Sequence, residues 1–165
     1  MTAGPTGVRV GWGFDAHSLD GAPPLVLAGV QVSDTVGASA TSDGDVVAHA
    51  VTDALLGACV LGDIGEHFPS DDPEMAGADS MALLGQAVAM ASEAGWQATH
   101  VDVTVLAQSV RIAPHRHAMA TQLAAALHIP ADLVSVKAST TDGLGAIGRG
   151  DGIAVVAVVT VGAPA

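Results

Sequence analysis

The sequence predicts a single mixed α/β domain of the α+β type, in which helices pack on one face of a mixed sheet. Its 165 residues are typical of one domain with a core of its own. Half of the residues, 50%, are apolar, and strand-like stretches are separated by stretches with helix start and stop signals. We therefore expect one domain over residues 1–165, with a loose N-terminus over residues 1–7.

Strand-like segments open the chain. Residues 8–12 are expected to form the first strand, and residues 25–32 a second strand or hairpin arm that follows Pro23 and Pro24. Residues 33–44 are rich in Ser, Thr, Gly and Asp, which favours a loop.

Three helices are predicted. The first begins after Asp43 or Asp45, because either carboxylate can accept the free N–H groups of a helix start, and it runs to about Leu61, where Gly62 ends it. The second is expected over about residues 79–95. The third is expected over about residues 114–128, with Pro114 in its first turn.

The remaining segments are strands and loops. Residues 63–77 contain glycines, prolines and acids and are expected to be irregular. Residues 99–106 alternate polar and apolar side chains, which indicates a half-buried strand. Residues 133–138 and 153–161 are expected to be strands that flank a glycine-rich loop.

The charge balance argues against several classes of partner. Acids outnumber Lys plus Arg by 17 to 5, for a formal charge of -12, which disfavours nucleic acid and anionic membrane surfaces as partners.

The longest apolar run is too short to cross a bilayer. The single cysteine, Cys59, allows no internal disulfide, which fits the bacterial cytoplasm. Only 13% of residues are charged, which hints at a homo-oligomer that hides part of its surface.

Asp15, His17 and His49 are candidate metal ligands. Side chains two apart in an extended chain point to the same side, so Asp15 and His17 can converge. One carboxylate and two imidazoles suit zinc with a fourth position left open. Asp53, one turn after His49, is a candidate for orienting that imidazole. The alternative is a turn cap with ordinary surface histidines.

A second candidate site follows the strand at 133–138. Lys137 and Arg149 bracket residues 139–145, which carry three hydroxyls, Asp142 and two glycines. Such a loop can bind phosphate, and Asp142 can hold magnesium. A plain β-turn whose hydroxyls bond to its own backbone explains the pattern equally well. Residues 62–72 form a third candidate, either a polyol-binding lid or a solvated loop.

Together these segments resemble the 2-C-methyl-D-erythritol 2,4-cyclodiphosphate synthase family of non-mevalonate isoprenoid synthesis. The resemblance runs from about Val8 to Val161. The segments that carry it, in chain order, are residues 13–17, 42–50, 52–58, 61–65, 68–69, 77–80, 101–103, 140–145 and 148–152.

The resemblance implies an enzyme that converts 4-diphosphocytidyl-2-C-methyl-D-erythritol 2-phosphate to 2-C-methyl-D-erythritol 2,4-cyclodiphosphate and releases CMP. It implies a homotrimer around a three-fold axis, with sites between subunits and a central cavity that can hold an isoprenoid diphosphate. It implies zinc on Asp15, His17 and His49 and a second ion, Mg²⁺ or Mn²⁺, on Asp142.

The resemblance also implies a large substrate site, with the residues of 107–113 and 139–142 coming from the adjoining subunit. The substrate-binding residues that it implies are Asp15, Ala16, His17, Thr41, Ser42, Asp63, Ile64, Gly65, Phe68, Pro69, Ser70, Asp71, Asp72, Ala107, Gln108, Ser109, Val110, Arg111, Ile112, Ala113, Ser139, Thr140, Thr141, Asp142, Ala146 and Arg149. Of these, Thr41 and Thr140 are the catalytic candidates.

Thr41 departs from the family, which usually has histidine there. Threonine donates a neutral hydrogen bond, and losing a charge-assisted one costs on the order of 1–3 kcal/mol. Two alternatives therefore stay open: a different metal-dependent phosphoesterase, and a low-activity homologue that binds metal and an isoprenoid diphosphate as a trimer. Ala146 replaces a frequent phenylalanine, which alters the expected central cavity.

Overall fold

A four-stranded mixed sheet forms the frame of the computed structural model, which describes residues 7–164. Its strands lie in the order β1-β6-β4-β5. β6 pairs antiparallel with both β1 and β4, whereas β4 and β5 are parallel. The predicted α+β fold with a mixed sheet is thus confirmed. Residues 1–6 of the expected loose N-terminus lie outside the described residues.

The elements have the following bounds. The sheet strands are β1 (Val8–Ser18), β4 (Gln97–Leu106), β5 (Val134–Ser139) and β6 (Gly152–Gly162), and a separate hairpin is formed by β2 (Leu25–Leu27) and β3 (Val30–Ser33). The helices are α1 (Val46–Cys59), α2 (Ile64–His67), α3 (Ser80–Glu93), α4 (Arg116–Leu127) and α5 (Gly145–Arg149). Short 3-10 turns occupy Pro73–Met75, Ala113–His115 and Ala131–Leu133.

The structure corrects several sequence-based boundaries. Helix α1 ends at Cys59 rather than near Leu61, because Val60 takes a left-handed conformation at φ 60° and its N–H bonds to the carbonyl of Gly57. Strand β1 continues to Ser18, so the candidate ligands Asp15 and His17 lie within the strand and not beyond it. The irregular segment 63–77 and the glycine-rich loop each contain a short helix, α2 and α5.

The core lies between the sheet and helices α1, α3 and α4. Alternate residues of β4 and β6 are fully buried against these helices. On β1 the same face carries Gly11 and Gly13, where an added Cβ would lie 1.8 Å from the carbonyl oxygen of Ala54 and 2.0 Å from that of Ala50, respectively. The two glycines therefore let α1 pack directly on the backbone of β1.

The opposite face of the sheet, here called the outer face, exposes large apolar side chains. Val8, Val10, Trp12 and Phe14 are 72%, 64%, 63% and 50% exposed. The rings of Trp12 and Phe14 stack with centroids 6.2 Å apart. Such a contiguous apolar strip is typical of a surface that another protein covers. Among the described residues, no helix is both long and apolar enough to cross a membrane.

Candidate metal centre and cleft

Asp15, His17 and His49 converge as the sequence predicted. Oδ2 of Asp15 lies 3.0 Å from Nε2 of His17 and 3.0 Å from Nδ1 of His49. One nitrogen or oxygen from each residue falls within 4.8 Å of the others. The side chains are partly buried, so water has limited access to this point.

Two local features bring these side chains together. Alternation along β1 places Asp15 and His17 on the side that carries Gly11 and Gly13. The close approach of α1 at those glycines then places His49, in the first turn of α1, over the same end of the strand.

The start of α1 is fixed by Asp45, which is fully buried. Its carboxylate accepts hydrogen bonds from the N–H groups of Val47 and Ala48 and also from those of Ala28 and Gly29 in the hairpin turn. Asp45 is therefore the helix cap, and one carboxylate joins the hairpin to the helix that carries His49.

The surroundings of His17 fit a metal ligand. Its Nε2 is buried and has no hydrogen-bond partner within residues 7–164, although the Asp15 carboxylate lies close by. Its Nδ1 is 3.1 Å from the carbonyl oxygen of Ser39, an acceptor that keeps the proton on Nδ1. Nε2 is therefore left with a free electron pair, directed at the point that Asp15 and His49 also face. This donor set of one oxygen and two nitrogens suits zinc.

The charges at this point favour a cation beside Asp15. Burial by itself raises the pKa of Asp15, but contacts with His17 and His49 outweigh it and hold the pKa well below its usual range. The contact with Asp15 raises the pKa of His17 more than burial lowers it. Asp15 is therefore ionised and available to a cation.

A cleft of about 250 Å³ opens beside the three ligands. It brings together many of the residues that the sequence singled out, and its lining comprises His17, Ala40, Thr41, Ser42, His49, Ile64, Gly65, Phe68, Ser70, Met75 and Leu83. The polar candidate metal ligands thus lie at the end of a largely apolar recess, an arrangement typical of a small-molecule site.

Sequence comparison supplies the family. The chain matches the family model described as "YgbB family" over residues 8–162. The chain belongs to the YgbB family. A 2-C-methyl-D-erythritol 2,4-cyclodiphosphate synthase from Bordetella avium (strain 197N) is 52% identical over 150 residues, which cover 91% of this chain and 93% of that relative. The resemblance found in the sequence is therefore confirmed.

Solved structures support the membership in the YgbB family. The bifunctional IspDF from Campylobacter jejuni superposes with a TM-score of 0.94 at 42% identity over 97% of this chain, although this chain spans only 43% of that longer protein. The CDP complex of IspF from Plasmodium falciparum gives a TM-score of 0.84 at 30% identity, over 98% of this chain and 99% of that one.

Other residues implied by the likeness to the YgbB family lie away from the cleft. β4 and β5 are parallel neighbours, so the loops that follow them, residues 107–113 and 139–145, emerge side by side. They contact each other where the N–H of Gly143 donates to Oε1 of Gln108 at 3.2 Å. These loops and Arg149 do not line the cleft of their own chain.

Within the loop at 139–145 the hydroxyls bond locally. Thr140 donates to the carboxylate of Asp142, Thr141 donates to the carbonyl of Leu144, and Ser139 donates to the carbonyl of Thr140. Two of the three hydroxyls thus bond to the loop's own backbone and one bonds to the Asp142 side chain, which leaves phosphate binding by this loop a prediction. Arg149 pairs with Asp151 at the surface.

Two acids expected at the substrate are helix caps in this structure. Asp63 accepts from the N–H of Glu66 at the start of α2, and Asp72 accepts from the N–H of Glu74 in the next 3-10 turn. Their carboxylates hold the 63–77 segment in shape beside the cleft, where Ile64, Gly65 and Phe68 form part of the wall.

The expectation for Asp53 is wrong. Its Oδ1 accepts the N–H of Ile64 at 3.1 Å and so tethers α2 to α1. Nε2 of His49 instead lies 2.9 Å from the hydroxyl oxygen of Ser80 and 3.2 Å from that of Ser42. Sequence reasoning assigned no role to Ser80, and it also missed the apolar wall residues Ala40, Met75 and Leu83. Helical periodicity from Ser80 to Leu83 and Leu84 was the available signal that Ser80 and Leu83 face inward, whereas no periodic pattern marked Met75.

Proposed function

We propose that this member of the YgbB family converts 4-diphosphocytidyl-2-C-methyl-D-erythritol 2-phosphate to 2-C-methyl-D-erythritol 2,4-cyclodiphosphate. An oxygen of the 2-phosphate bonds to the β-phosphorus, the bond from that phosphorus to the CMP oxygen breaks, and CMP leaves as the eight-membered ring closes. The observation that carries this proposal is the convergence of Asp15, His17 and His49 at the end of the cleft.

The chemistry needs charge neutralisation rather than a strong base. The attacking phosphate is already largely dianionic near neutral pH, because the second pKa of a phosphate monoester is about 6. Zinc bound by Asp15, His17 and His49 would supply a Lewis acid that draws the phosphoryl oxygens together. Thr41, exposed at the cleft, is placed to donate a hydrogen bond to a phosphoryl oxygen. The apolar wall limits water that would compete as a nucleophile.

A complete site requires the loops at 107–113 and 139–142 from an adjoining subunit. The carboxyl ends of β1, β4 and β5 lie at one end of the sheet. β1 and β5 are opposite edges of the order β1-β6-β4-β5, and three strand spacings amount to about 14 Å. The loop after β5 of the same chain therefore starts far from Asp15. In the proposal, Thr140 of the neighbour donates to the diphosphate, and its Asp142 holds Mg²⁺ or Mn²⁺.

A homotrimer in which three sheets face one another supplies such a neighbour. The exposed apolar strip of Val8, Val10, Trp12 and Phe14 on the outer face supports burial against copies of the chain. The central cavity is proposed to accept an isoprenoid diphosphate, with Arg149 near its phosphates. We place the enzyme in the bacterial cytoplasm, which suits a chain whose single cysteine has no partner in residues 7–164.

The test is CMP release from the named substrate by metal-loaded protein. We expect CMP and the cyclic product, loss of both after metal chelation, and loss in the double variant with His17→Ala and His49→Ala. The companion measurement is elemental analysis, which should find zinc in the wild type and none in the double variant. CMP release by the double variant at the wild-type rate would overturn the zinc role. A linear, water-derived product would instead assign a phosphoesterase.

Thr41 favours a second candidate, a slow homologue that binds metal and an isoprenoid diphosphate. Replacing Thr41 with histidine distinguishes the synthase from the slow homologue. If the missing positive charge limits turnover, Thr41→His should raise CMP release by about tenfold or more, the equivalent of about 1.4 kcal/mol. An unchanged rate in Thr41→His would show that this departure does not limit the enzyme.

A further inference from the structure

Ser80 is fully buried at the start of α3, and its hydroxyl contacts three residues of the metal-site region, His49, Asp43 and Ser42. Its Oγ lies 2.9 Å from Nε2 of His49 and donates a hydrogen bond to Oδ1 of Asp43. Ser80 is 31 residues from His49 in sequence, so packing alone brings them together. Neither α3 nor its cap contributes a ligand to the metal.

The direction of these hydrogen bonds follows from the donors available. Both oxygens of Asp43 already accept backbone N–H groups, Oδ1 from Asp45 at 3.2 Å and Oδ2 from Ser80 at 3.1 Å. The carboxylate therefore acts as an acceptor, and the single hydroxyl proton of Ser80 points to it. Oγ of Ser80 then has only acceptor capacity left for His49, and from this shorter contact of 2.9 Å we infer that Nε2 of His49 carries a proton. Oγ of Ser42, 3.2 Å from the same nitrogen, can accept that proton as well.

A proton on Nε2 of His49 leaves Nδ1, the other ring nitrogen, free to bind a metal ion. Nδ1 faces Asp15 at 3.0 Å, at the point where the three ligand atoms converge. In an imidazole that keeps its proton on Nε2, Nδ1 has the free electron pair that a metal ion binds. The hydrogen bond of the far nitrogen also fixes the plane of the ring.

We propose that Ser80, held by Asp43, is a positioning residue for the metal: its hydroxyl accepts the Nε2 proton of His49 and so directs Nδ1 at the ion. The inference rests on the proposed zinc site and adds residues that contact neither the metal nor the substrate. In this arrangement Ser80 accepts the proton of the outer ring nitrogen of His49, as the carbonyl of Ser39 accepts that of His17.

The backbone around Asp43 is built to hold this arrangement. The N–H of Asp43 donates to the carbonyl of Ala78 at 3.1 Å, and the N–H of Gly77 donates to the carbonyl of Thr41 at 2.8 Å. The loop before α1 and the loop before α3 are thus joined by two backbone hydrogen bonds beside the Asp43–Ser80 contact. The position of Ser80 relative to His49 is therefore set by the fold and not by a mobile side chain.

The experiment measures the zinc dissociation constant of the full-length chain by competition with a chromophoric chelator. Loss of an outer hydrogen-bond partner typically weakens metal binding by about 10–100-fold, and we expect that loss for Ser80→Ala. The matched control is Asp79→Ala, which removes the cap of the same helix, two hydrogen bonds to Met81 and Ala82, without touching His49. It should destabilise α3 and leave zinc affinity unchanged.

A second pair of variants guards against misfolding. Ser80→Thr keeps the hydroxyl, and Ser80→Val has the same branched shape without it, so only the valine variant should lose zinc affinity. In zinc-loaded wild-type protein labelled with ¹⁵N-histidine, we expect a slowly exchanging proton on Nε2 of His49. A proton absent from that nitrogen would overturn the proposal even if no variant folds.

The outcomes separate this inference from the proposed function. If the wild type binds zinc and releases CMP but Ser80→Ala binds zinc equally well, the role of Ser80 is wrong and the proposed function stands. Equal losses of zinc affinity in Ser80→Ala and Asp79→Ala would also overturn it, because a general loosening of α3 would then suffice. A wild type that binds no zinc would refute the proposed function itself.

Discussion

Replacing Gly13 with alanine would place a methyl group inside the backbone of helix α1. The added carbon would lie 2.0 Å from the carbonyl oxygen of Ala50 and 2.7 Å from the nitrogen of Ala54, whereas ordinary contacts start at 3.4 Å. The obstacle is helix backbone, so α1 must retreat from β1 by about 1.4 Å, since no side chain can rotate away. Overpacking of this kind costs about 3 kcal/mol or more.

The retreat of α1 also separates the proposed metal ligands. Asp15 and His17 lie on β1, whereas His49 lies on α1. We therefore expect Gly13→Ala to weaken zinc binding and to lower CMP release by about 100-fold, because a displacement of about 1 Å has that effect on a preorganised site.

The assay is urea unfolding followed by circular dichroism, together with zinc titration. Gly57→Ala is the control, because Gly57 lies in the same helix and an added Cβ there meets no atom within 4 Å. Alanine should stabilise that helix by roughly 0.5–1 kcal/mol. If Gly13→Ala unfolds at the wild-type urea concentration and binds zinc normally, the close approach of α1 to β1 does not control the site.

Two further predictions concern buried groups. Asp45→Ala removes the cap of α1 and leaves the buried N–H groups of the hairpin turn without an acceptor. It should lower the free energy of unfolding in urea by about 3 kcal/mol or more, against about 1 kcal/mol for the exposed cap variant Asp79→Ala. Equal losses in the two variants would contradict the double role of Asp45. Burial raises the pKa of the Cys59 thiol more than the charge of Arg9 lowers it, so less of the reactive thiolate is present at a given pH. Reaction with Ellman's reagent should therefore be slower in the folded than in the urea-unfolded chain. The rate for the unfolded chain should have its midpoint near the ordinary thiol pKa of about 8.5, and the midpoint for the folded chain should lie at higher pH. Coincident pH profiles would refute the shift.

Local sequence patterns were sufficient for most of the elements. Helix α3 begins after a capping aspartate and β4 follows the alternation, as expected. The end of α1 was missed because Val60 adopts the left-handed conformation that sequence rules assign to glycine. Local patterns predict only a strand or hairpin arm over residues 25–32, because the turn between β2 and β3, at Ala28 and Gly29, depends on the buried carboxylate of Asp45.

By itself, the sequence identified three candidate metal ligands, and the family resemblance rather than their spacing assigned them to zinc. Asp15 and His17 share a strand face through the two-residue period, and helical spacing places His49 just after its cap. Only the tertiary structure decided what holds those donors in place. In the folded chain the hydroxyl of Ser80 contacts the ring of His49, and the carboxylate of Asp53 accepts the N–H of Ile64. The loops after β4 and β5 do not line the cleft of their own chain. The physical reason is that hydrogen-bond partners of a buried ring come from whichever distant segment packs against it, and no local period records that packing.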